Sequence, residues 1–429
     1  MALPKIKINI KNILFLALIL RLFLMFLSAS HPDIGNHVDW GERLFEYTPR
    51  HFYTGEIWSV SRPNQPFASI YLFAAIAKLR LWIMTLAWDL NLKFPLFPSK
   101  LIPLLSTNLH HWLLKLPFIF SDLAIAFLIY KIGQKYFPKQ SLLAAALFLF
   151  NPAVIYNSTV WGQTDSLINL FSLLGIFLIT QKKFFSGIFI FLTSFIFKIS
   201  LIIYLPIFAL LLLYYFPKSF RPILVSSLLF LVSFILLSLP FSGLNFLPWF
   251  KQTFIDTVLL SQGHMLNGNA FNLWFLINGA DLTTSELQTW GIFTYRQISQ
   301  IIFFLFQIPL WWHYFKSKKT LNNTFTALFL AAFSAFLILT NMHERYLYPT
   351  LPLMVSLIFL DKNKFITLRE YLLISLLHLL NLFNLWWYPS LPFLKNFLMW
   401  DNFLVGKIIA IFFSYFFLKK YWHYLHEKN

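Results

Sequence analysis

The feature that most constrains this chain is an apolar run that recurs from one end to the other. Each run is roughly 16 to 22 residues long, about enough for a helix to cross a hydrocarbon core of ~30 Å. Inside a bilayer the backbone must satisfy its own hydrogen bonds, which leaves helices or a closed barrel. The period-two alternation of barrel strands is missing, so the pattern predicts an all-α polytopic membrane protein. Composition agrees: 58% of the 429 residues are hydrophobic, 20% aromatic and only 12% charged, far from a soluble average. No stretch between the apolar runs is long enough to stand as a soluble domain, and no clear internal repeat or low-complexity tract appears. We read residues 1–429 as one integral membrane domain.

The formal charge of +18 would suit a nucleic-acid binder if the basic residues lined one face. They fall instead in short links such as "KIGQKYFPK" (131–139), "FPKSFRP" (216–222) and "KSKK" (316–319), the positive-inside pattern of cytoplasmic loops. Sorting the links by charge gives about twelve crossings with both termini inside. Residues 67–112 resist this scheme, since parity allows them zero or two crossings and "NLKFPLFPSKLIPLLSTNLHH" is a poor spanning helix; a hairpin or re-entrant pair is expected there. The basic N-terminus, the apolar stretch from Ile13 to Ala29 and the small residues Ser28 and Ser30 resemble a signal peptide. That stretch is longer than a usual signal core, so we read it as an uncleaved first helix. With no cysteine there is no disulfide, thiol nucleophile or Cys-ligated metal.

The acids are distributed unevenly. Five of the sixteen lie between His31 and Glu56, and the inner links hold only Asp361, Glu370 and Glu427. Acidic residues contribute little to orientation, so the excess on the outer side calls for another cause, and an active outer face supplies one. Two outer segments stand out, residues 30–66 as a catalytic loop and 242–295 as the longest loop.

Five stretches carry candidate chemistry. In "HPDIGNHVDWGERLFEY", Asp33 lies within about a helical turn of the end of the first helix, and Val38 to Tyr47 reads as an amphipathic surface helix carrying Asp39. In "NPAVIYNSTVWGQTDSLINLF", Trp161 offers a face to a sugar ring while Gln163 and Asp165 offer polar atoms to its hydroxyls. Asp165 equally fits an N-cap after the turn at Gly162. In "TNMHERYLYPTLPLM", His343, Glu344 and Arg345 stand together where one apolar run ends and another begins, a placement that defaults to function, although Arg345 also fits a snorkelling anchor. Lys198 in "FIFKISLIIYLP" is an isolated cation on the outer side; with His343 and Arg345 it would make a cluster suited to phosphate. In "GHMLNGNAFNLWFLING", His264 and Asn269 precede a half-buried helix that suits a cover over a groove, and ordinary turn chemistry also accounts for Gly268 and Asn269. No histidine or acid spacing of a metal site is present, and no phosphate- or dinucleotide-binding glycine motif, so neither metal nor cofactor is expected.

A glycosyl donor carried on a lipid phosphate would use all of these groups. The phosphate leaves as a stable anion that needs charge stabilisation, and the acceptor hydroxyl needs one base, for which Asp33 is the first candidate. One base without a general acid suffices for direct displacement with inversion, unlike the paired carboxylates of glycosidases.

At these residues the chain resembles the multispanning GT-C glycosyltransferases that use polyprenyl-phosphate sugars. The outer loop followed by "RPNQPFASIY" is similar to the catalytic loop and Pro-rich end of dolichyl-phosphate-glucose glucosyltransferases, and "NMHERYLYP" to their His-Glu-Lys motif. "WGQTDS", "FKISLIIYLP" and "NAFNLWFL" follow the same order, from about residue 13 to 360 overall. The nearest likeness is to prokaryotic mannosyltransferases related to the second mannosyltransferase of GPI-anchor synthesis. The resemblance implies a GT-C-like bundle with amphipathic outer-loop helices, Asp33 as general base, and His343, Arg345 and Lys198 at the donor phosphate. Asp39, Trp161, Gln163, Asp165, His264, Asn269 and Glu344 are then candidates for sugar or acceptor contacts. The chain departs from these relatives at "RPNQPF", where Asp-Tyr-Pro-Pro is common and Arg62, Pro63 and Asn64 leave no carboxylate.

The expected reaction is inverting transfer of a hexose, mannose by resemblance, from polyprenyl phosphate to a glycan, lipid or protein hydroxyl. The expected site is the outer face of the plasma membrane in a prokaryote, or the lumenal face of the endoplasmic reticulum in a eukaryote. The alternatives are a lipid-linked sugar flippase or transporter, whose polar sites belong near the midplane, and an oligosaccharide polymerase or ligase with a diphosphate donor.

Overall fold

The computed structural model describes residues 9–426 apart from 28, 30, 57–60, 261–262 and 362. The basic segment before residue 9, Ser28, Ser30, part of the first loop (57–60) and Glu427 therefore lie outside the described residues. Within them, seven helices are long and apolar enough to cross a membrane, or eight if the bent pair Pro138–Leu149 and Pro152–Trp161 is one span. The chain is a helical, polytopic membrane protein. The dozen expected is not confirmed by this count, because several apolar runs form short or broken helices that fall below the length of a span. Asp165–Thr180 and Phe184–Phe197 have only 16 and 14 residues. At Pro152 the chain bends by 48°, with the Asn151 side chain accepting from the Ala153 N–H to start the next helix.

Helix α1 (Ile10–Leu27) carries a charge into the apolar layer. Arg21 is fully buried, 3.4 Å from Asp122 of the helix Leu101–Tyr136, and donates to the Leu149 carbonyl at 2.9 Å. Asp122 also accepts from the Ser158 and Tyr348 hydroxyls at 2.5 and 2.7 Å. A buried charge is costly unless paired and hydrogen-bonded, so this network ties α1 to four other segments at a fixed depth. Two of them, around Ser158 and Tyr348, run directly into the candidate site.

Helix α2 (Pro32–Glu46) begins earlier than Val38, where the amphipathic pattern starts. His31 caps it with its side chain, Pro32 supplies a preset first turn, and Asp33 lies in that turn. A carboxylate there gains from the partial positive charge of the helix start. Beside α2, residues 67–112 fold as the expected hairpin: Phe67–Lys93 runs out, 94–100 turn, and the first part of Leu101–Tyr136 returns. Glu42 of α2 lies 3.8 Å from Arg80 on one arm and 3.4 Å from His110 on the other. The spans Ile199–Phe216 and Phe220–Ser242 flank the expected basic turn, and both lie along Phe184–Phe197, through Phe208 on Phe191 at 3.7 Å and Phe230 on Phe189 at 5.9 Å.

The long segment 242–295 is mostly irregular. It contains π-helical turns at Phe250–Leu260, the short helix Leu273–Asn278, and a two-stranded ribbon pairing Thr289–Trp290 with Phe293–Thr294. The "FNLWFL" helix is half-buried as expected, with Trp274 and Phe275 buried and Ile277 exposed.

Candidate functional site

Asp33 is the centre of the site. Its carboxylate Oδ2 accepts from Gln163 Nε2 at 2.5 Å and lies 3.6 Å from Arg345 Nη1, while Oδ1 lies 3.6 Å from His31 Nδ1. Gln163 reaches it because the π-helical turn Tyr156–Trp161 ends in left-handed Gly162, at φ 87°, which reverses the chain. A Cβ on Gly162 would stand 2.7 Å from Ile34 of α2, so this position combines the two demands that favour glycine.

Burial alone would raise the Asp33 carboxyl, but Arg345 outweighs it, helped by His31, His37 and His343, and holds it well below the usual carboxylate range. Asp33 is thus ionised at any physiological pH. The histidines are pushed the other way. Burial lowers His31 and His37 to about 4 against the pull of Asp33, and burial with Arg345 lowers His343 to about 3. They are neutral hydrogen-bonding groups at pH 7. Glu344, buried beside Arg345, is pushed up to about 7 by desolvation despite the guanidinium.

Arg345 joins two carboxylates, with Nη1 3.6 Å from Asp33 and 3.4 Å from Glu344. Its guanidinium lies 5.7 Å from the Trp161 ring and 5.4 Å from Tyr346. Its Nε is buried and has no hydrogen-bond partner among the described residues. Lys198, at the end of Phe184–Phe197, pairs with Asp165 at 2.9 Å and lies 5.3 Å from the other side of this group, at Tyr346. One wall is aromatic: His31 lies 4.2 Å from Trp161 and 4.7 Å from Trp386, with the two indoles 5.5 Å apart.

The segment 340–345 is held by the long loop. Gly268 N–H donates to the Met342 carbonyl at 2.9 Å, Asn341 N–H to Leu266 at 3.2 Å, and Leu266 N–H to Thr284 at 2.7 Å. Glu286, buried, accepts from Arg296 Nε at 2.8 Å and from the Thr340 hydroxyl, and lies 3.3 Å from His264. His264 therefore belongs to a clasp behind the site and is not beside Asp33. Asn269 bonds to Glu344 and, through Nδ2, to the Asn384 carbonyl at 2.9 Å, which makes it a support for the Glu344 carboxyl. Asp39 turns to Arg43 at 3.9 Å on another face of α2.

Of the residues singled out in the sequence, Asp33, Trp161, Gln163, Asp165, Lys198, His343, Glu344 and Arg345 are thus brought together. Sequence reasoning missed His31, His37 and Trp386. Only His31 had a local signal, as the residue before Pro32 and two before Asp33. Arg21 and Asp122 were also missed, although a lone charge within an apolar run is itself a signal. Among the described residues no three His, Asp or Glu side chains are grouped to hold a metal ion. No family model matches the chain, and no curated protein matches it.

Proposed function

We propose that this chain is an integral membrane glycosyltransferase of the GT-C type. It moves a hexose, mannose on the resemblance, from a polyprenyl-phosphate donor to a hydroxyl of a glycan, lipid or protein on the outer face. The observation that carries this reading is a carboxylate beside a cation that still has an N–H to offer: Asp33 lies 3.6 Å from Arg345, whose buried Nε has no hydrogen-bond partner among the described residues. An anionic phosphate is the natural complement of that N–H, with Lys198 and neutral His343 as further donors.

In the reaction, the acceptor oxygen forms a bond to the anomeric carbon as the carbon–oxygen bond to phosphate breaks. The bonding pair leaves on the phosphate oxygen, where Arg345 and Lys198 stabilise it. The acceptor proton goes to Asp33. In the free protein Arg345 makes Asp33 a weak base, and a phosphate bound at Arg345 would offset that pull and strengthen it. The donor then helps to prepare the base. Gln163 fixes the carboxylate, Trp161 and Trp386 flank the space for a sugar ring, and water need not take part.

The test is transfer of labelled sugar from polyprenyl-phosphate-mannose or polyprenyl-phosphate-glucose in membranes containing the wild type or Asp33→Asn. A membrane lipid extract serves as acceptor, with and without EDTA. The wild type is expected to transfer one sugar, and Asp33→Asn, at equal protein level, to lose at least about a hundredfold in rate. Equal rates would remove Asp33 as the base. No transfer from either donor would sink the reading and return the flippase and the diphosphate-dependent polymerase.

A further inference from the structure

Three segments carry the central groups of the site. The end of α1 leads into Asp33, the π-helical turn Tyr156–Trp161 leads into Gln163, and the short helix Glu344–Leu347 holds Arg345. All three are tied to one buried carboxylate that the mechanism above leaves unused. Asp122 Oδ2 takes Arg21 of α1 at 3.4 Å and the Ser158 hydroxyl at 2.5 Å, while Oδ1 takes the Tyr348 hydroxyl at 2.7 Å.

Each tie is short along the backbone. Ser158 follows Asn157, whose carbonyl accepts from the Gly162 and Gln163 N–H groups at 3.1 and 3.0 Å. Tyr348 N–H donates to the Arg345 carbonyl at 3.0 Å. On the third side Lys115, two helical turns before Asp122 on the same face, donates to the Ala29 carbonyl at 3.4 Å. The helix Leu101–Tyr136 thus holds α1 at Arg21 and its exit again at Ala29, just before Asp33. Neutralising Arg21 needs only a counter-charge, and apolar residues would serve stability as well. Stability alone does not explain why both hydroxyls on Asp122 come from segments that enter the site.

We propose that Asp122 is a positioning residue for sugar transfer, fixing Gln163 and Arg345 against Asp33. The hydroxyls act on different parts of the reaction. Tyr348 sets Arg345 and hence the donor phosphate, and Ser158 sets Gln163 and hence the orientation of the base. A misplacement of about 1 Å at a reacting centre costs on the order of a hundredfold in rate, so a rigid junction behind the site is of direct use. This inference rests on the glycosyltransferase reading.

The experiment measures maximal rate, half-saturation for polyprenyl-phosphate-mannose and thermal midpoint in the wild type and four variants. Tyr348→Phe and Ser158→Ala each remove one hydroxyl and keep the ion pair. Asp122→Asn alone would strand the Arg21 charge, so the whole junction is removed by Arg21→Met together with Asp122→Leu. Tyr314→Phe is the control, since its buried hydroxyl bonds to the Thr324 hydroxyl at 3.0 Å at the basic-link end of Tyr295–Lys316. Tyr348→Phe is expected to raise half-saturation about tenfold, and Ser158→Ala to lower the maximal rate about tenfold with half-saturation within about twofold. The paired variant should show both changes and Tyr314→Phe neither. Rate and half-saturation within about twofold of the wild type in all three site variants would mean that Asp122 does not position the site. A rate that falls in all four variants in step with the thermal midpoint, at constant half-saturation, would make the junction structural only; either result overturns the proposal. So would loss of donor affinity in Ser158→Ala but not in Tyr348→Phe, because the hydroxyls would then not act through Gln163 and Arg345. If the wild type transfers no sugar, the glycosyltransferase reading falls and takes this role with it, a failure distinct from active variants with unaltered constants.

Discussion

Arg345 has more negative neighbours than one cation can serve, and Glu344 shows the consequence. Its carboxyl is pushed up to about 7 by burial, so near neutrality it changes from a silent neighbour to a competitor for the guanidinium. Below that pH it is protonated and no longer competes with a phosphate for Arg345; above it, ionised Glu344 holds Arg345 at 3.4 Å. Half-saturation for polyprenyl-phosphate-mannose should therefore rise above pH 7 in the wild type, approaching tenfold per pH unit for one proton. Glu344→Gln, fixed in the neutral form, should flatten the profile between about pH 6 and 8.5. A flat wild-type profile would remove Glu344 from the donor site. The linkage sign is adverse for folding: between 4.5 and about 7 the native chain holds a proton that the unfolded chain has released, so stability falls as pH rises through that window. The triplet at 343–345 was legible because charge at the end of an apolar run is expensive, and Asp33 and Gln163 because they stand at helix junctions. His37 was not, since its hydrogen-bond partner, Gln65, stands 28 positions away and an uncharged pair leaves no local pattern. Asp39 was misplaced for a related reason: periodicity says that a helix is amphipathic but not which polar face meets the site.

At the scale of elements, α2 is where sequence and site are joined. Its apolar stripe was readable, but its start was not, because the cap is a histidine rather than the usual Ser, Thr, Asp or Asn. The start matters, since it places Asp33 at a helix N-terminus and not in an open loop. Two glycines in this one helix should respond in opposite ways. Gly35 is exposed and a Cβ there would meet nothing within 4 Å, so Gly35→Ala should stabilise the helix by about 1 kcal/mol through propensity alone. At Gly41 a Cβ would lie 2.7 Å from the Phe73 carbonyl oxygen of the neighbouring helix. Gly41→Ala should push the two helices apart and destabilise by ~1–3 kcal/mol. Thermal midpoints of the purified variants in one detergent, Gly35→Ala above the wild type and Gly41→Ala below it, check the packing of α2 on Phe67–Lys93. The reverse order would mean that these helices do not meet at Gly41. The hairpin beside them was readable only in outline, because its connection at 94–100 carries two prolines that break the pattern without revealing the path.

For the whole molecule, the apolar runs made the membrane legible but left the number of spans open, because run length does not reveal where a helix stops short or bends at a proline. Orientation is the remaining whole-molecule property, and it decides which compartment supplies substrate. The site end carries the ribbon turn at Ile292, 88% exposed, while Lys318 lies in the exposed basic link between helices Tyr295–Lys316 and Leu321–Ile338. The second of these helices is one of the seven apolar enough to cross a membrane, and its 18 residues, about 27 Å of rise, run from the basic link to the 340–345 segment of the site, so the two ends lie near opposite faces of a hydrocarbon core of ~30 Å. Positive charge at the Lys318 end argues for the cytoplasm, and the proposed function then expects Asp33 and the ribbon on the outer side. The chain has no cysteine, so a single introduced cysteine is a unique label. In intact cells an impermeant maleimide should modify Ile292→Cys at once and Lys318→Cys only after the membrane is opened. The opposite order would put Asp33 and Arg345 on the cytoplasmic side, where donor and acceptor would have to be met within the cell. Equal modification of both before opening would mean that Leu321–Ile338 does not separate the two positions across the membrane, and the bundle would then have to be oriented by its other helices.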